Sequence, residues 1–340
     1  MPALSLTVLM TVRNGMPYLE EAVRCILSQT RRDFTFLILD NASTDGTSAF
    51  LDATAATLDG GPPEFPLRAK TGRNAEQDRS ILPPADPPGP PRVKPGCVLV
   101  VRHLPADAGR TGALRMGLDA ADTDLVAVMD ADDRCRPERL ERQSNFLAAH
   151  PETDLLGSDV EYLDASGQVL ARDRFPTQHD ALRDTLPLRN PFANSACMFR
   201  TVAAQAAGGY DLSFPYAQDL ALWTAMLRRG SRAASIGDVL ADIRVHAGQA
   251  TQDAALAGAR AWDDYRIAES MLKIPGLSTA ARQAATARAA CALFRMGKRG
   301  DAAKTALRAL REAPSLCFRN PLLLRRIGME LRRRVLGKLI

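Results

Sequence analysis

The chain contains no CxxC pair and no zinc-type spacing of cysteine and histidine, although it carries six cysteines: Cys25, Cys97, Cys135, Cys197, Cys291 and Cys317. That excludes a zinc ribbon and a thioredoxin-like dithiol. Several of these cysteines lie in apolar stretches, which reads as reduced core residues of a cytoplasmic protein. No run approaches the roughly 18 apolar residues of a membrane span. The N-terminus lacks the basic start, apolar stretch and small-residue cleavage site of a signal peptide. Neither sign of charge dominates, with 44 Lys and Arg against 39 Asp and Glu, a net charge of +5. So mild a balance permits a nucleic-acid or anionic-membrane partner without demanding one.

What is present is enough for a core. A chain of 340 residues with 46% apolar content accommodates one large α/β domain and a smaller appendage. Leu4 to Val12 reads as a buried first strand, ending at the turn Arg13-Asn14-Gly15. Met16 to Ser28 has helical spacing, with Leu19, Ala22, Val23, Ile26 and Leu27 on one face. Phe34 to Leu39 is a second strand, and Ser43 is placed to cap a helix running to about residue 58. Val98 to Val101, a helix from Thr111 to Ala121, and Leu125 to Met129 complete the rhythm. Strands alternating with helices predict an α/β fold with a doubly wound, mostly parallel, Rossmann-like sheet.

Two stretches depart from it. Residues 59–96 are rich in Pro and Gly and almost without apolar periodicity, which predicts a disordered insertion with local polyproline II. From about 251 the chain becomes Ala- and Arg-rich. Ala281 to Met296 and Asp301 to Ala313 predict a helical hairpin, loosely similar to one tetratricopeptide unit, which must pack on the main domain or a partner. This divides the chain into a domain at 1–250 and an α-helical C-terminal extension at 251–340. The last segment, 319–340, carries seven basic residues against Glu330, with Leu324, Ile327, Leu331 and Val335 on one face. It fits a peripheral contact with an anionic membrane surface, or a terminal helix packed on the core.

The most informative feature is Asp130-Ala131-Asp132-Asp133, at the end of the apolar run Leu125 to Met129. A buried strand here delivers carboxylates to its own C-terminal tip. Hard oxygen ligands suit Mg²⁺ or Mn²⁺, and open α/β sheets bind ligands beyond the carboxyl ends of their strands. Taken alone, the same acids also serve as turn formers or helix caps.

The cluster has company. Thr7 to Gly15, the stretch Asp40-Asn41-Ala42-Ser43-Thr44-Asp45-Gly46-Thr47, the stretch Gly112-Ala113-Leu114-Arg115-Met116-Gly117, and Asp130 to Asp133 occur in order. Asn190-Pro191-Phe192, the run Gln218-Asp219-Leu220-Ala221-Leu222-Trp223, and Arg244-Val245-His246 follow. With these blocks the chain closely resembles glycosyltransferase family 2 over roughly 4–250, less the insertion. The resemblance implies a GT-A fold and a nucleotide-sugar donor (a UDP-, GDP- or dTDP-sugar). It implies that Thr11, Arg13, Asp40 and Asn41 line the nucleotide pocket, with Thr11 and Asp40 side by side over the switch point. The family more often has Asp where Asn41 stands. Arg115 is implied to face the donor's base or phosphates. Asp130 and Asp132 match the family's Asp-x-Asp pair, which holds Mn²⁺ or Mg²⁺, and Asp130 also reaches the donor. Asp133 would cap the following helix or touch the donor sugar.

Asp219 is the implied general base, the Asp of a Glu-Asp pair whose Glu is here Gln218. Loss of that negative neighbour favours a lower pKa for Asp219. His246 is implied to approach the metal, and Arg244 to order the phosphates. The expected activity is inverting, metal-dependent transfer of a sugar to a saccharide or lipid-linked acceptor, in bacterial polysaccharide or glycolipid synthesis. No nucleic acid is expected as partner. The expected location is cytoplasmic, or peripheral on the inner face of the membrane. A nucleotidyltransferase also uses a strand-end carboxylate pair, but needs a Gly-rich basic loop after strand one, and the turn here is short. A transferase-fold scaffold of weak or no activity is the other alternative, kept open by Gln218.

Overall fold

The computed structural model describes residues 3–56, 96–246 and 257–312. The insertion expected at 59–96, except Gly96, and the basic tail at 319–340 lie outside them.

The chain opens with β1 (Leu6–Val12), α1 (Leu19–Leu27), β2 (Phe34–Asp40) and α2 (Thr47–Ala56). Next come β3 (Cys97–His103), α3 (Gly109–Ala120), β4 (Leu125–Asp130), β5 (Arg134–Cys135) and α4 (Arg139–Ala149). After these lie β6 (Leu155–Leu163), β7 (Val169–Asp173), α5 (His179–Thr185), a 3-10 turn at Asn194–Ala196, and β8 (Met198–Arg200). The last elements are α6 (Thr201–Ala206), α7 (Gln218–Arg228), β9 (Ala233–Arg244), α8 (Ala257–Met271), α9 (Thr279–Arg295) and α10 (Arg299–Glu312).

The strands form one sheet in the order β3-β2-β1-β4-β8-β6-β9-β5, with β7 beside β6. The first four are parallel and doubly wound, as predicted. Antiparallel pairs enter beyond β4, at β8 with both β4 and β6, and at β7 and β5. β6 and β9 are again parallel.

Period-two alternation sorts the core into two layers. Leu6, Val8, Met10 and Val12 pack with Leu19, Val23 and Ile26 of α1 on one face. Leu9, Val126 and Val128 pack with Leu114 and Leu118 of α3 on the other. α3 lies so close to β1 that a Cβ at Gly117 would overlap the buried Leu9 side chain. The same parity corrects one expectation. Thr11 follows Leu9 and sits in register with Leu39 and Asp130, whereas Asp40 is in register with Val12. Thr11 and Asp40 therefore point to opposite faces of the sheet and do not lie side by side.

One other expectation is corrected locally. Ser43 does not cap α2, which begins at Thr47; the Thr47 N–H donates to Asp45 Oδ1 at 3.1 Å. The Ser43 hydroxyl instead accepts from the Asn14 N–H at 2.9 Å, tying together the loops after β1 and β2. Asn14 and Ala42 in these loops have left-handed backbones, φ 54° and 58°.

The predicted helical hairpin is present as α9 and α10. Ile267, Met271, Ile274 and Ala285 are buried in the same core cluster as Trp223 and Leu186. Asp264 of α8 is clamped by Arg288 and Arg295 of α9. Among the described residues no helix is long and apolar enough to cross a membrane.

Candidate active site

The tip of β4 is the centre. By alternation Asp130 falls on the face of Val126 and Val128, where α3 begins. Its Oδ1 accepts from Asn194 Nδ2 and from the Arg110 guanidinium, each at 2.9 Å. Its N–H donates to Ser195 Oγ at 2.9 Å. Asp132 meets His246 Nε2 at 3.0 Å. Asp133 is buried beneath them, where Oδ2 accepts from Ser195 Oγ at 2.5 Å and Oδ1 from the Arg244 N–H at 2.8 Å. Burial, then the charges of Asp132 and Asp130, push its carboxyl well above the usual range. Asp133 thus ties the tip of β4 to the 3-10 turn and to β9. It caps no helix, since the residue before α4 is Glu138 and makes no side-chain cap.

Asp219 comes to this site from α7, in the first turn, where the helix dipole favours a carboxylate. Asn190 Nδ2 donates to its Oδ2 at 3.1 Å. Burial raises its pKa; the Leu220 N–H and the Arg110 charge oppose that, and Asp130 adds to it. The loss of an acidic neighbour at Gln218 does not decide the direction, because burial outweighs it. Gln218 itself is buried, and its Oε1 has no partner among the described residues.

Arg110 was not singled out from the sequence. It sits in the first turn of α3, pairs with Asp130, and is acted on by Asp219 and Asp132 as well; these carboxylates together raise its pKa, against the cost of partial desolvation. One signal was readable: a cation in a helix's first turn opposes the macrodipole, so another interaction must hold it there. Arg115, implied to face the donor, is not brought to the carboxylates. Its partners are Asp119 at 2.7 Å and the Gly208 carbonyl at 2.9 Å. It lines a cavity of about 750 Å³ between α3, α7 and α8 that contains none of the strand-tip acids.

The implied nucleotide residues sit at the tips of β1 and β2. Asp40 is 1% exposed. It accepts from the Ser43 N–H at 3.1 Å, Ser48 Oγ at 2.5 Å and His103 Nδ1 at 2.8 Å. Burial pushes its carboxyl up, but these bonds, His103's first, outweigh it and hold the pKa at about 2. Thr11 is half-buried on the Asp130 side. Arg13 pairs with Asp107 at the surface. Asn41 donates to Asp107 Oδ1 at 2.7 Å and accepts from the Ala108 N–H at 2.8 Å, which leads the chain into α3. An ionised Asp could accept from Ala108 but not donate to Asp107, so Asn rather than Asp at this position has a local reason.

Arg244 is 3% exposed. Its Nε donates to the Asp132 carbonyl at 3.1 Å, its guanidinium pairs with Glu21 of α1, and it stacks over the Tyr18 ring at 4.7 Å. It positions the acidic hairpin from below. Tyr18 also packs on His246, ring centroids 4.8 Å apart.

No cluster of three His, Cys, Asp or Glu among the described residues is arranged to hold a metal ion. The donor chemistry nevertheless fits one. Asp132 and His246 present a carboxylate oxygen and an imidazole nitrogen in contact. Mg²⁺ and Mn²⁺ sites on phosphate substrates commonly take only one or two protein ligands, the phosphates completing the shell. Asp130, held by Arg110 and Asn194, is the less available carboxylate.

Comparison with known proteins identifies the family and the fold. A family model described as glycosyl transferase family 2 matches residues 7–72 and 94–205, more than half of the chain. The amylovoran biosynthesis glycosyltransferase AmsE of Erwinia amylovora is 33% identical over 43% of this chain and 54% of its own length. The putative teichuronic acid biosynthesis glycosyltransferase TuaG of Bacillus subtilis is 22% identical over 76% of this chain and 86% of its own. The chain spans about half to two thirds of the length of several such curated relatives. Among solved structures, S. aureus TarS 1-349 in complex with UDP-GlcNAc superposes with TM-score 0.60 at 15% identity, covering 90% of this chain and 79% of that one. The mannosyltransferase PcManGT of Pyrobaculum calidifontis, in complex with GDP-Man and Mn²⁺, gives 0.55 at 18% identity, covering 94% and 80%. These likenesses place the sheet in the GT-A fold.

Proposed function

Because the chain belongs to glycosyl transferase family 2, we propose that it moves a sugar, with inversion, from a nucleoside diphosphate-sugar to an acceptor hydroxyl, using Mn²⁺ or Mg²⁺. The observation that carries this reading is that Asp219 from α7 lies within electrostatic reach of the Asp130–Arg110 pair at the tip of β4. It sets a candidate base beside a candidate diphosphate site.

In this reading the acceptor O–H gives its proton to the Asp219 carboxylate. The acceptor oxygen bonds to the anomeric carbon while the bond from that carbon to the diphosphate breaks. One base and no placed nucleophile fit a single displacement. The raised pKa of Asp219 suits a general base, which works best with a pKa near the operating pH. Asn190 orients the carboxylate through its bond to Oδ2. The Arg110 guanidinium, 43% exposed at the rim, is free to exchange part of its bond with Asp130 for donor phosphate, which its planar fork suits. Asp132 and His246 would hold the divalent ion, with Asp130 beside them. A bound ion would offset charge on the departing diphosphate. Thr11 and Asp40 would flank the nucleoside from opposite faces of the sheet.

The sugar-nucleotides bound by TarS and PcManGT make UDP-GlcNAc and GDP-Man the first donors to try. Relatives named for amylovoran, O-antigen and teichuronic acid synthesis suggest a saccharide or lipid-linked acceptor in envelope polysaccharide synthesis. The test is donor hydrolysis across a nucleotide-sugar panel with Mn²⁺. Turnover that vanishes in EDTA and returns with Mn²⁺ is the expected result. Full turnover in EDTA would sink the metal assignment. Turnover of no donor would favour the scaffold reading, which the neutral Gln218 beside Asp219 supports.

A further inference from the structure

We propose that Cys25 and Cys135 form a reversible disulfide under peroxide-class oxidants, locking α1 onto β5 and depressing turnover at the strand-tip site. The two sulfurs lie 3.4 Å apart, although 110 residues separate them in sequence. Cys25 is partly exposed and Cys135 is buried.

One face of α1 is built to meet β5. Glu21, Cys25 and Gln29 recur every four residues, which sets them on one side of the helix and its C-terminal end. Glu21 Oε1 accepts from Arg134 Nη1 at 2.9 Å. Cys25 Sγ meets Cys135 Sγ and accepts from the Cys135 N–H at 3.3 Å. Gln29 Nε2 donates to Cys135 Sγ at 3.2 Å and to the Arg136 carbonyl at 2.8 Å. The two thiols are thus held in place from both sides.

The surroundings favour a thiolate at Cys135. Arg139 is fully buried, and its partners are Val128 O, Cys197 O, Gln143 Oε1 and Met129 Sδ, all neutral. Among the described residues it pairs with no carboxylate. The hydrogen bond from Cys25, then Arg139 against burial, lowers the Cys135 pKa.

The chemistry balances. The Cys135 thiolate attacks one oxygen of hydrogen peroxide, the O–O bond breaks, Cys135 becomes a sulfenic acid, and the departing hydroxide takes the Cys25 thiol proton and leaves as water. The Cys25 thiolate so formed attacks the Cys135 sulfur, the S–S bond forms and the S–O bond breaks, and the departing hydroxide takes a proton from solvent to leave as a second water. Each sulfur gives up one electron and the peroxide accepts two.

Bond formation requires the sulfurs to close by roughly 1.4 Å to reach disulfide length. Cys135 follows Asp132 and Asp133 by only three and two residues. Displacements near 1 Å in a positioned site cost up to about 10²-fold in rate. The disulfide itself is independent of the transferase reading; only its effect on turnover rests on that reading.

The experiment uses the full chain, reduced and then exposed to hydrogen peroxide. Trypsin releases Cys25 in residues 25–31 and Cys135 in residues 135–139, since Pro137 blocks cleavage after Arg136. The expected result is a cross-link between these peptides that dithiothreitol reverses, that Cys25→Ser abolishes and that Cys97→Ser leaves intact. Amide exchange across 19–31 slows on oxidation, and donor hydrolysis with Mn²⁺ falls several-fold to about 10²-fold and recovers on reduction. No cross-link, or one joining other cysteines, overturns the proposal, as does undiminished turnover in the oxidised enzyme. Hydrolysis absent in both states counts against the transferase reading instead; the peptide map and amide exchange then decide the disulfide and the lock.

Discussion

Asp219 differs from the other acids of the site in what burial does to it. Among the described residues its one side-chain donor is Asn190, and burial raises its pKa beyond what the Leu220 N–H and Arg110 recover. A base must be ionised to accept a proton, so kcat/KM is predicted to fall as pH drops through a value raised above that of a free aspartate. Asp219→Asn keeps the fork of hydrogen-bonding atoms but not the charge. Transfer is predicted to fall by about 10²–10⁴ with donor affinity unchanged, measured by turnover beside calorimetric binding of the donor. Near-normal turnover would rule Asp219 out. Asp40 behaves in the opposite way. It is held at about 2 by bonds led by that from His103, whose own pKa is raised by the same contact. A depressed acid contributes stability above its unfolded value, and that contribution disappears as pH falls toward 2. A raised histidine contributes below about 6.5, and its share disappears as pH climbs through the raised value. The pair is therefore most stabilising between about 4 and 6.5. The thermal midpoint gap between wild type and His103→Asn is predicted to narrow from pH 6 to pH 8.5; a constant gap would refute it.

Helix α3 carries the element-scale argument. Its first turn brings Arg110 to Asp130, and its third turn presses Gly117 against Leu9 of β1. The close approach and the placement of the guanidinium have one cause, since a helix held further out would carry Arg110 away from the strand tip. Gly117→Val is predicted to lose at least the roughly 1–3 kcal/mol of an overpacked core, measured by chemical denaturation, and to lower donor turnover in the same variant. Gly300 in α10 is the control, because a Cβ there meets nothing within 4 Å. Gly300→Ala is predicted to stabilise by roughly 0.5–1 kcal/mol, the cost of a helical glycine. If both variants behave alike, α3 is not seated by the Gly117 contact.

At the scale of the whole molecule, the C-terminal helices complete the main core. Ile267 and Met271 of α8 and Ala285 of α9 are buried with Trp223, which stands one turn beyond Asp219 on α7. The Tyr216 N–H, just before α7, donates to Asp263 of α8 at 3.2 Å. Asp264 carries the clamp between α8 and α9: burial pushes its carboxyl up, yet Arg288 and Arg295 hold it at about 2. A chain ended at residue 256 is predicted to expose this apolar face, aggregate, and lose donor turnover with every site residue intact. Size-exclusion chromatography checks it; a monodisperse, active truncated protein would show that the helices are an independent appendage.

Much of this was already determined by local sequence. The near-continuous apolar runs of β1, β2 and β4, separated by helical segments, set the parallel half of the sheet, because a strand buried on both faces must be such a run. The acids placed straight after Met129 and Leu39 were bound to sit at strand tips. The hairpin of α9 and α10 was legible from its Gly-Lys-Arg-Gly break. Which groups meet at those tips was decided only by the tertiary structure. Arg110 on Asp130, Asp219 beside both, and His246 on Asp132 join residues 20 to 114 apart, and no local period encodes such contacts. The split of Thr11 and Asp40 onto opposite faces came from a one-residue register difference, which inverts the side of a pleated strand. The rise in Asp219's pKa came from burial, and burial belongs to the packed chain rather than to any segment of it.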